Sequence, residues 1–331
     1  MEFYSSAPCK TILFGEHYVV YGAQALSIPI EPRNRIRFSE AKENTGITLI
    51  SGKWNGTIST KGEYSGSPEL QIYCEVAKNI FNGKTIPSCK AEFLSAWKLK
   101  GVGASASFGA AFAAGLLRIA GKKPSARKIF TAAQAGDLIA HQGKASGIDA
   151  KTVSVGTPLL FQRKFVPPSY STRTAKFSLS PECSLLLIDT FTGNKDGTAA
   201  MLAAFARSFE ITTLPQLLSE EKRKEVRKEF APILYAALSE KTATGLGKLM
   251  NDNHILLRMR GVSSRDIEKA VLVAIKHGAH GAKLTGAGGE GGVVLALCSN
   301  NTLVETSEKI RAETGFACYS VQLATRGAAV D

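Results

Sequence analysis

A chain of 331 residues, 44% hydrophobic and 21% charged, can bury a substantial core and has the composition of a soluble globular protein of two domains or one elaborate one. No apolar run is long enough for a bilayer and MEFYSSAPCK lacks a signal pattern, so no membrane association and a cytoplasmic location are expected. The net charge of +13 raises nucleic-acid binding, but the densest basic run, 220–229, mixes signs at helical spacing without interleaved aromatics; a solvated helix face, attraction for small anions and no nucleic-acid partner are expected instead.

Short apolar or alternating runs predict strands at 1–6, 11–14, 25–30, 35–39 and 47–50. Pro68 precedes a helix with Leu70, Tyr73, Cys74, Ala77 and Phe81 on one stripe. An extended segment at 91–97 leads into helices at about 104–120 and 125–141, and 158–162 reads as a strand. The proline-bearing stretch 164–174 reads as a linker or an excursion between halves. Beyond it come a strand at 184–188, a helix near 199–209, a helical block over 214–260 and a helix at 263–277 capped by Ser263-Ser264. A strand at 293–297, a helix near 302–313 and a strand at 319–323 close the chain. Helices and strands do not alternate strictly, which favours an α+β class with antiparallel sheets covered by helices. Six scattered cysteines with no C-x-x-C pair argue against a metal cluster or a disulfide scaffold.

Four segments concentrate the chemistry. At 98–109 Gly101 and Gly103 stand where an extended segment meets an alanine-rich helix, a place where open backbone N–H groups can cup a phosphate, although such turns also serve packing. The Walker pattern is absent, and no second strand with an acidic end follows, so the P-loop and dinucleotide readings both fail. In 7–22, Lys10 directly precedes a buried-looking strand, and Glu16 and His17 lie in apolar surroundings where unpartnered charge is costly. In 143–150, Asp149 reads either as a functional carboxylate or as the cap of a helix from Ala150. In 281–292, Gly286, Gly288, Gly289, Gly291 and Gly292 crowd a loop before a strand, which favours close backbone approach to a ligand.

Taken together, these segments resemble the GHMP kinase superfamily, and within it the mevalonate kinases most closely. The resemblance rests on Ala7-Pro8-x-Lys10, Phe14-Gly15-Glu16-His17 through Gly22, Gly101-x-Gly103-x-Ser105-Ala106, Ala145-Ser146-Gly147-x-Asp149, the helix segment 249–257 leading to Ser263, and Lys283-Leu-Thr-Gly-Ala-Gly-Gly289, in that order along nearly the whole chain. The chain departs from the pattern in places. Cys9 replaces a glycine, Ala104 and Ser107 exchange the usual Ser and Ala, and Glu290 interrupts the last glycine run. The family's magnesium-ligating Glu position falls on Leu138, beside Asp137.

The resemblance implies a two-domain GHMP kinase fold. Residues 1–165 would form an N-terminal ATP-binding domain with a left-handed β-α-β unit, and 175–331 a ferredoxin-like C-terminal domain. It implies ATP-dependent phosphorylation of the 5-hydroxyl of mevalonate in isoprenoid biosynthesis and allows a homodimer. The alternatives are another hydroxyl, a phosphorylated relative, or a ligand-binding paralogue without catalysis. By the same resemblance Asp149 and Lys10 are catalytic, and Glu16, His17 and Thr198 contact the substrate. Gly101, Gly103, Ala104, Ser105, Ala106 and Ser107, with Gly286, Gly288 and Gly289, surround the ATP phosphates. Mg²⁺ would rest on Ser105 and Asp137.

Overall fold

The computed structural model describes residues 2–95, 101–140, 145–191, 193 and 196–331. Residues 96–97 of the expected extended segment, residues 98–100 that follow it, residue 141 of the expected helix 125–141 and residues 142–144 after it lie outside these. The contacts divide the chain into two compact units, one of Met1–Lys10, Pro29–Thr157 and Leu323–Asp331, the other of Thr11–Ile28 and Pro158–Gln322. This division does not follow the chain halves 1–165 and 175–331.

The first unit holds most of a long sheet. Strand β1 (Phe3–Phe14) continues through the expected break at 7–10, and β2 (Gln24–Ser39) merges two expected strands. Lys10 sends its N–H to Val102 (3.0 Å) instead of a neighbouring strand, and the two-residue alternation of a strand puts Pro8 on the same side. The missing donor of the proline therefore removes no ladder bond. Strands β3 (Ile47–Ser51), β4 (Trp54–Ile58) and β5 (Tyr64–Gly66) follow, then α1 (Ile72–Phe81), β6 (Cys89–Leu94), α2 (Ala104–Ile119), α3 (Ala126–Ala140) and α4 (Ile148–Val155). Strands β4 and β5 carry little apolar alternation, which hid them from the pattern. Helix α2 is buried nearly all round, so it lacks a polar face and packs as core. Phe38, Tyr73, Phe93 and Phe112 gather against one another between the sheet and these helices, with centroid distances of 4.5 to 6.0 Å.

In the second unit β7 (Leu159–Phe165) and β8 (Pro168–Thr174) form an antiparallel hairpin. Of the two readings of 164–174 the excursion holds and the linker does not: Pro167 sits in the turn and Pro168 opens the second strand, positions where a missing N–H is tolerated. Strand β7 also pairs with β2 at 24–27, while β6 pairs with β2 at 35–39. Separate parts of one long strand thus serve different partners, which is why the units interleave along the chain. Next come β9 (Cys183–Asp189), α5 (Thr198–Arg207), α6 (Glu220–Ser239), α7 (Ala243–Met259), α8 (Arg265–Lys276), β10 (Gly281–Thr285), β11 (Val293–Ser299), α9 (Leu303–Thr314) and β12 (Ala317–Val321). The antiparallel order β10-β11-β9-β12, with helices in the first and last connections, is the split β-α-β arrangement of ferredoxin-like folds.

The sign-mixed run begins α6 and forms ion pairs three residues apart, Lys222–Glu225 (2.9 Å) and Arg223–Glu220 (3.0 Å). Arg223 itself is buried, its guanidinium over the ring of Phe165. Strand β13 (Ala329–Val330) returns to the first unit and pairs with Ser5 and Ser6 of β1. Among the described residues no helix is long and apolar enough to cross a membrane.

Candidate functional site

In the first unit the glycine loop meets Lys10 and Asp149. Gly103 caps α2 in the left-handed region (φ 69°) without a side-chain bond. Ser107 donates the first helical bond, to the Gly103 carbonyl (2.9 Å), so the amides of Ala104, Ser105 and Ala106 come before any intrahelical partner. Such a terminus attracts anions. A Cβ at Gly103 would stand 2.9 Å from two carbons of the Lys10 side chain, so this glycine is required by the lysine lying against it as well as by its φ. Gly101 also has positive φ and is exposed. Ser105 is exposed at this terminus. Ser107 is not: it is buried, and its hydroxyl donates to the Ala7 carbonyl (2.9 Å), which sets it to holding α2 on β1 and not to contacting phosphate.

Lys10 Nζ lies 2.8 Å from Asp149 Oδ1, with side-chain exposures of 5% and 28%. The N-cap of α4 is Gly147 (φ 87°), and Asp149 stands inside the first turn. The capping role for Asp149 therefore fails, because the helix starts two residues earlier than the pattern suggests. Cys9 is buried between these elements. Burial pushes its thiol up to about 12, which makes it inert at neutral pH.

On α3 Asp137 is 6% exposed and Leu138 37% exposed. Consecutive helical residues point about 100° apart, so the carboxylate faces the interior while the apolar neighbour turns outward. Among the described residues no group of three or more His, Cys, Asp or Glu could hold a metal ion.

In the second unit Glu16 is enclosed. Its carboxylate accepts from Lys283 Nζ, and both side chains are fully buried. Lys283 also donates to the Leu284 carbonyl (2.7 Å). Burial holds the Lys283 ammonium below its ordinary range, opposed by the attraction of Glu16. Expected at the substrate, Glu16 is thus built into a protein contact.

His17, beside it, has φ 59° and ψ −48°, outside the left-handed helical region, and the Tyr18 N–H donates across it to the Glu16 carbonyl (2.6 Å), a γ-turn that is rare and strained. Its Nε2 lies 2.9 Å from the Ala287 carbonyl, and its ring stacks on Phe205. A carbonyl can only accept, so Nε2 carries the proton and Nδ1 is the acceptor. Among the described residues Nδ1 is buried with no hydrogen-bond partner.

Burial first, then the nearby Lys283 charge, bring the His17 pKa down from 6.5 to about 4, against the opposing effect of the Ala287 carbonyl. Below pH 6.5 the unfolded chain takes up a proton that the folded protein refuses until about pH 4. Stability from this group is full above that window and falls as the pH drops through it, by about 3 kcal/mol in all. Urea unfolding at pH 7 and pH 4.5 is expected to show a smaller acid loss for His17→Asn than for the parent, by roughly 2–3 kcal/mol. Asparagine removes the titrating ring, and any fixed backbone cost of the substitution cancels between the two pH values.

The glycine-rich loop after β10 packs against protein. A Cβ at Gly288 would lie 2.1 Å from the Val262 carbonyl, and one at Gly289 would meet Met201 and Asp196 below 3 Å. The Gly289 N–H donates to Val262 (2.9 Å), and Asp196 receives the Glu290 N–H (2.8 Å) while its own N–H returns to the Glu290 carbonyl (3.0 Å). The close approach read from the glycines is real, but at Gly288 and Gly289 the neighbour is the chain itself. Thr198 is exposed in the first turn of α5.

The pattern missed Lys283, Asn251 and His254 as site-forming residues. Strand β10 is the edge of its sheet, and its outward N–H groups at Ala282 and Leu284 are taken by Asn251 Oδ1 (2.9 Å) and His254 Nδ1 (3.3 Å) of α7. The signals were present: a lysine between apolar neighbours, and polar side chains three apart on one helix face.

Residues 234–314 match the family model described as GHMP kinases C terminal. The chain is 31% identical to a mevalonate kinase of Pyrococcus horikoshii over 308 residues, 88% of each chain. It is similar in structure to the mevalonate kinase of Methanococcus jannaschii, with a TM-score of 0.78 and 23% identity over 98% of this chain and 99% of that one. It is also similar to the L. major mevalonate kinase in complex with R-mevalonate, with a TM-score of 0.74 and 21% identity over 97% and 96%.

Proposed function

The chain belongs to the mevalonate kinase family, and on that footing we propose that it transfers the γ-phosphoryl group of ATP to the 5-hydroxyl of mevalonate, in isoprenoid biosynthesis. The observation that carries this reading is the Lys10–Asp149 pair (2.8 Å) packed against the glycine-capped start of α2. Phosphoryl transfer asks a protein mainly for positioning and for charge opposite the moving phosphoryl group. Gly101, Gly103 and the open amides of 104–106 supply donors for phosphate oxygens. Asp149 accepts the hydroxyl proton as the new oxygen–phosphorus bond forms and the bond to ADP breaks. Lys10 offsets the charge developing on the transferring oxygens and orients the carboxylate it pairs with.

His17 offers a neutral acceptor, Nδ1, to a hydroxyl of the substrate, and Thr198 offers a second hydroxyl contact. Gly286, at the start of the glycine-rich loop, gives backbone that a ligand can approach. Phosphorus NMR of the product formed from mevalonate and Mg·ATP is expected to show 5-phosphomevalonate and ADP. Phosphate on another hydroxyl would move the acceptor assignment, and no transfer to any small alcohol would end the kinase reading.

Mg²⁺ fits the donor chemistry of this unit: the Ser105 hydroxyl and the Asp137 carboxylate are hard oxygen donors, with phosphate and water oxygens left to complete the shell. When bound, it neutralises charge on the phosphates. Replacing Asp137 by asparagine is expected to raise the Mg²⁺ concentration needed for half-maximal activity about tenfold, with kcat at saturating metal little changed. An unchanged requirement would leave the metal to Ser105, ATP and water.

A further inference from the structure

The closing motif contributes more than glycines. Residues 283, 285 and 287 each reach back to the segment that carries Glu16 and His17. Lys283 binds the Glu16 carboxylate, and Thr285 donates to the Ile12 carbonyl (2.9 Å) while its Oγ1 meets that of Thr11 (2.8 Å). The Ala287 carbonyl receives His17 Nε2 (2.9 Å). Strand β10 is itself pinned from its other edge by Asn251 and His254.

Of these contacts, the ion pair is the one that packing alone does not explain. A fully buried pair gains little net stability, because desolvation offsets the attraction, and apolar side chains of similar volume hold such a place as well. What an ammonium adds is direction, since its donors point at once to Glu16 and to the Leu284 carbonyl (2.7 Å). Glu16 is followed immediately by the one residue of this turn that combines a strained, positive-φ backbone with a buried, open acceptor. A small rotation at residue 16 would swing that imidazole away from Phe205 and Ala287.

We propose that Lys283 is a positioning residue for the acceptor substrate: through Glu16 it fixes the Gly15–His17 turn on β10, and so fixes the direction of the His17 imidazole. The substrate half of this statement rests on the kinase reading above; the positioning half does not.

Lys283→Met alone leaves Glu16 buried without its cation and invites unfolding, so the decisive variant is the neutral pair Glu16→Gln/Lys283→Met. Its melting temperature is expected to stay within a few degrees of the parent. Nitrogen NMR of the ligand-free protein, with the His17 signals identified by their loss in His17→Asn, is expected to show one Nε2–H tautomer in the parent. In the neutral pair the same ring is expected to show averaged tautomers and a pKa moved up toward 6.5. With mevalonate and ATP, the KM for the acceptor is expected to rise at least tenfold while the KM for ATP stays within twofold.

A neutral pair that keeps the parent His17 spectrum overturns the proposal, as does equal loss of both KM values. Collapse of the melting temperature also overturns it, since the pair would then hold the fold and not the turn. The spectrum is read without substrate, so failure of the parent to phosphorylate mevalonate would refute the kinase reading and leave the test of Lys283 intact.

Discussion

Replacing Asp149 by asparagine is expected to lower kcat by roughly 10²–10⁴-fold, the range for loss of a group that takes a proton in the transition state. The substitution keeps shape and leaves an oxygen for Lys10, so binding of ATP should be nearly unchanged. The Asp149 side chain is 28% exposed and caps no helix, so the fold loses little. Stopped-flow release of ADP, with melting temperature as control, measures both effects. Near-normal turnover in this variant would reduce Asp149 to a partner that keeps Lys10 in place.

Replacing Lys10 by methionine is expected to lower kcat roughly 10²–10³-fold, as removal of a preorganised positive group opposite developing charge does. The methionine keeps most of the buried stem that Gly103 packs against, so the loss reports the ammonium and not a cavity. Combining the two substitutions should lower kcat little beyond the worse single variant, because residues that act as one unit are not additive. Steady-state kinetics of the four proteins in the cycle decides it. Multiplicative losses would show that the two side chains act independently despite their 2.8 Å contact.

Much of the local structure was legible because it follows from periodicity. The apolar stripe of α1, the alanine-rich α2, and the serine start and glycine stop of α8 are written in consecutive residues, and the helices formed there. Strand ends were less legible. Nothing local distinguishes a break at 7–10 from a strand that passes through a proline facing away from its ladder. The strand at 158–162 was legible, but the stretch 164–174 allowed a linker as well as an excursion, since the same prolines serve either. Strands β4 and β5 hold their places through pairing with neighbours, which a pattern within one segment does not record.

By itself the sequence determined the order and spacing of the four chemical segments and the positions that need glycine. Only the tertiary structure decided which groups face one another. It brought Lys10 to Asp149, turned Ser107 into the core, enclosed Glu16 against Lys283, and set Val262 and Asp196 beside the glycines that had pointed to a ligand. The reason is physical. A missing Cβ or a charge in an apolar run states that something must lie close or pair, whereas the identity of that neighbour depends on contacts between residues far apart in the chain, 267 positions for Glu16 and Lys283.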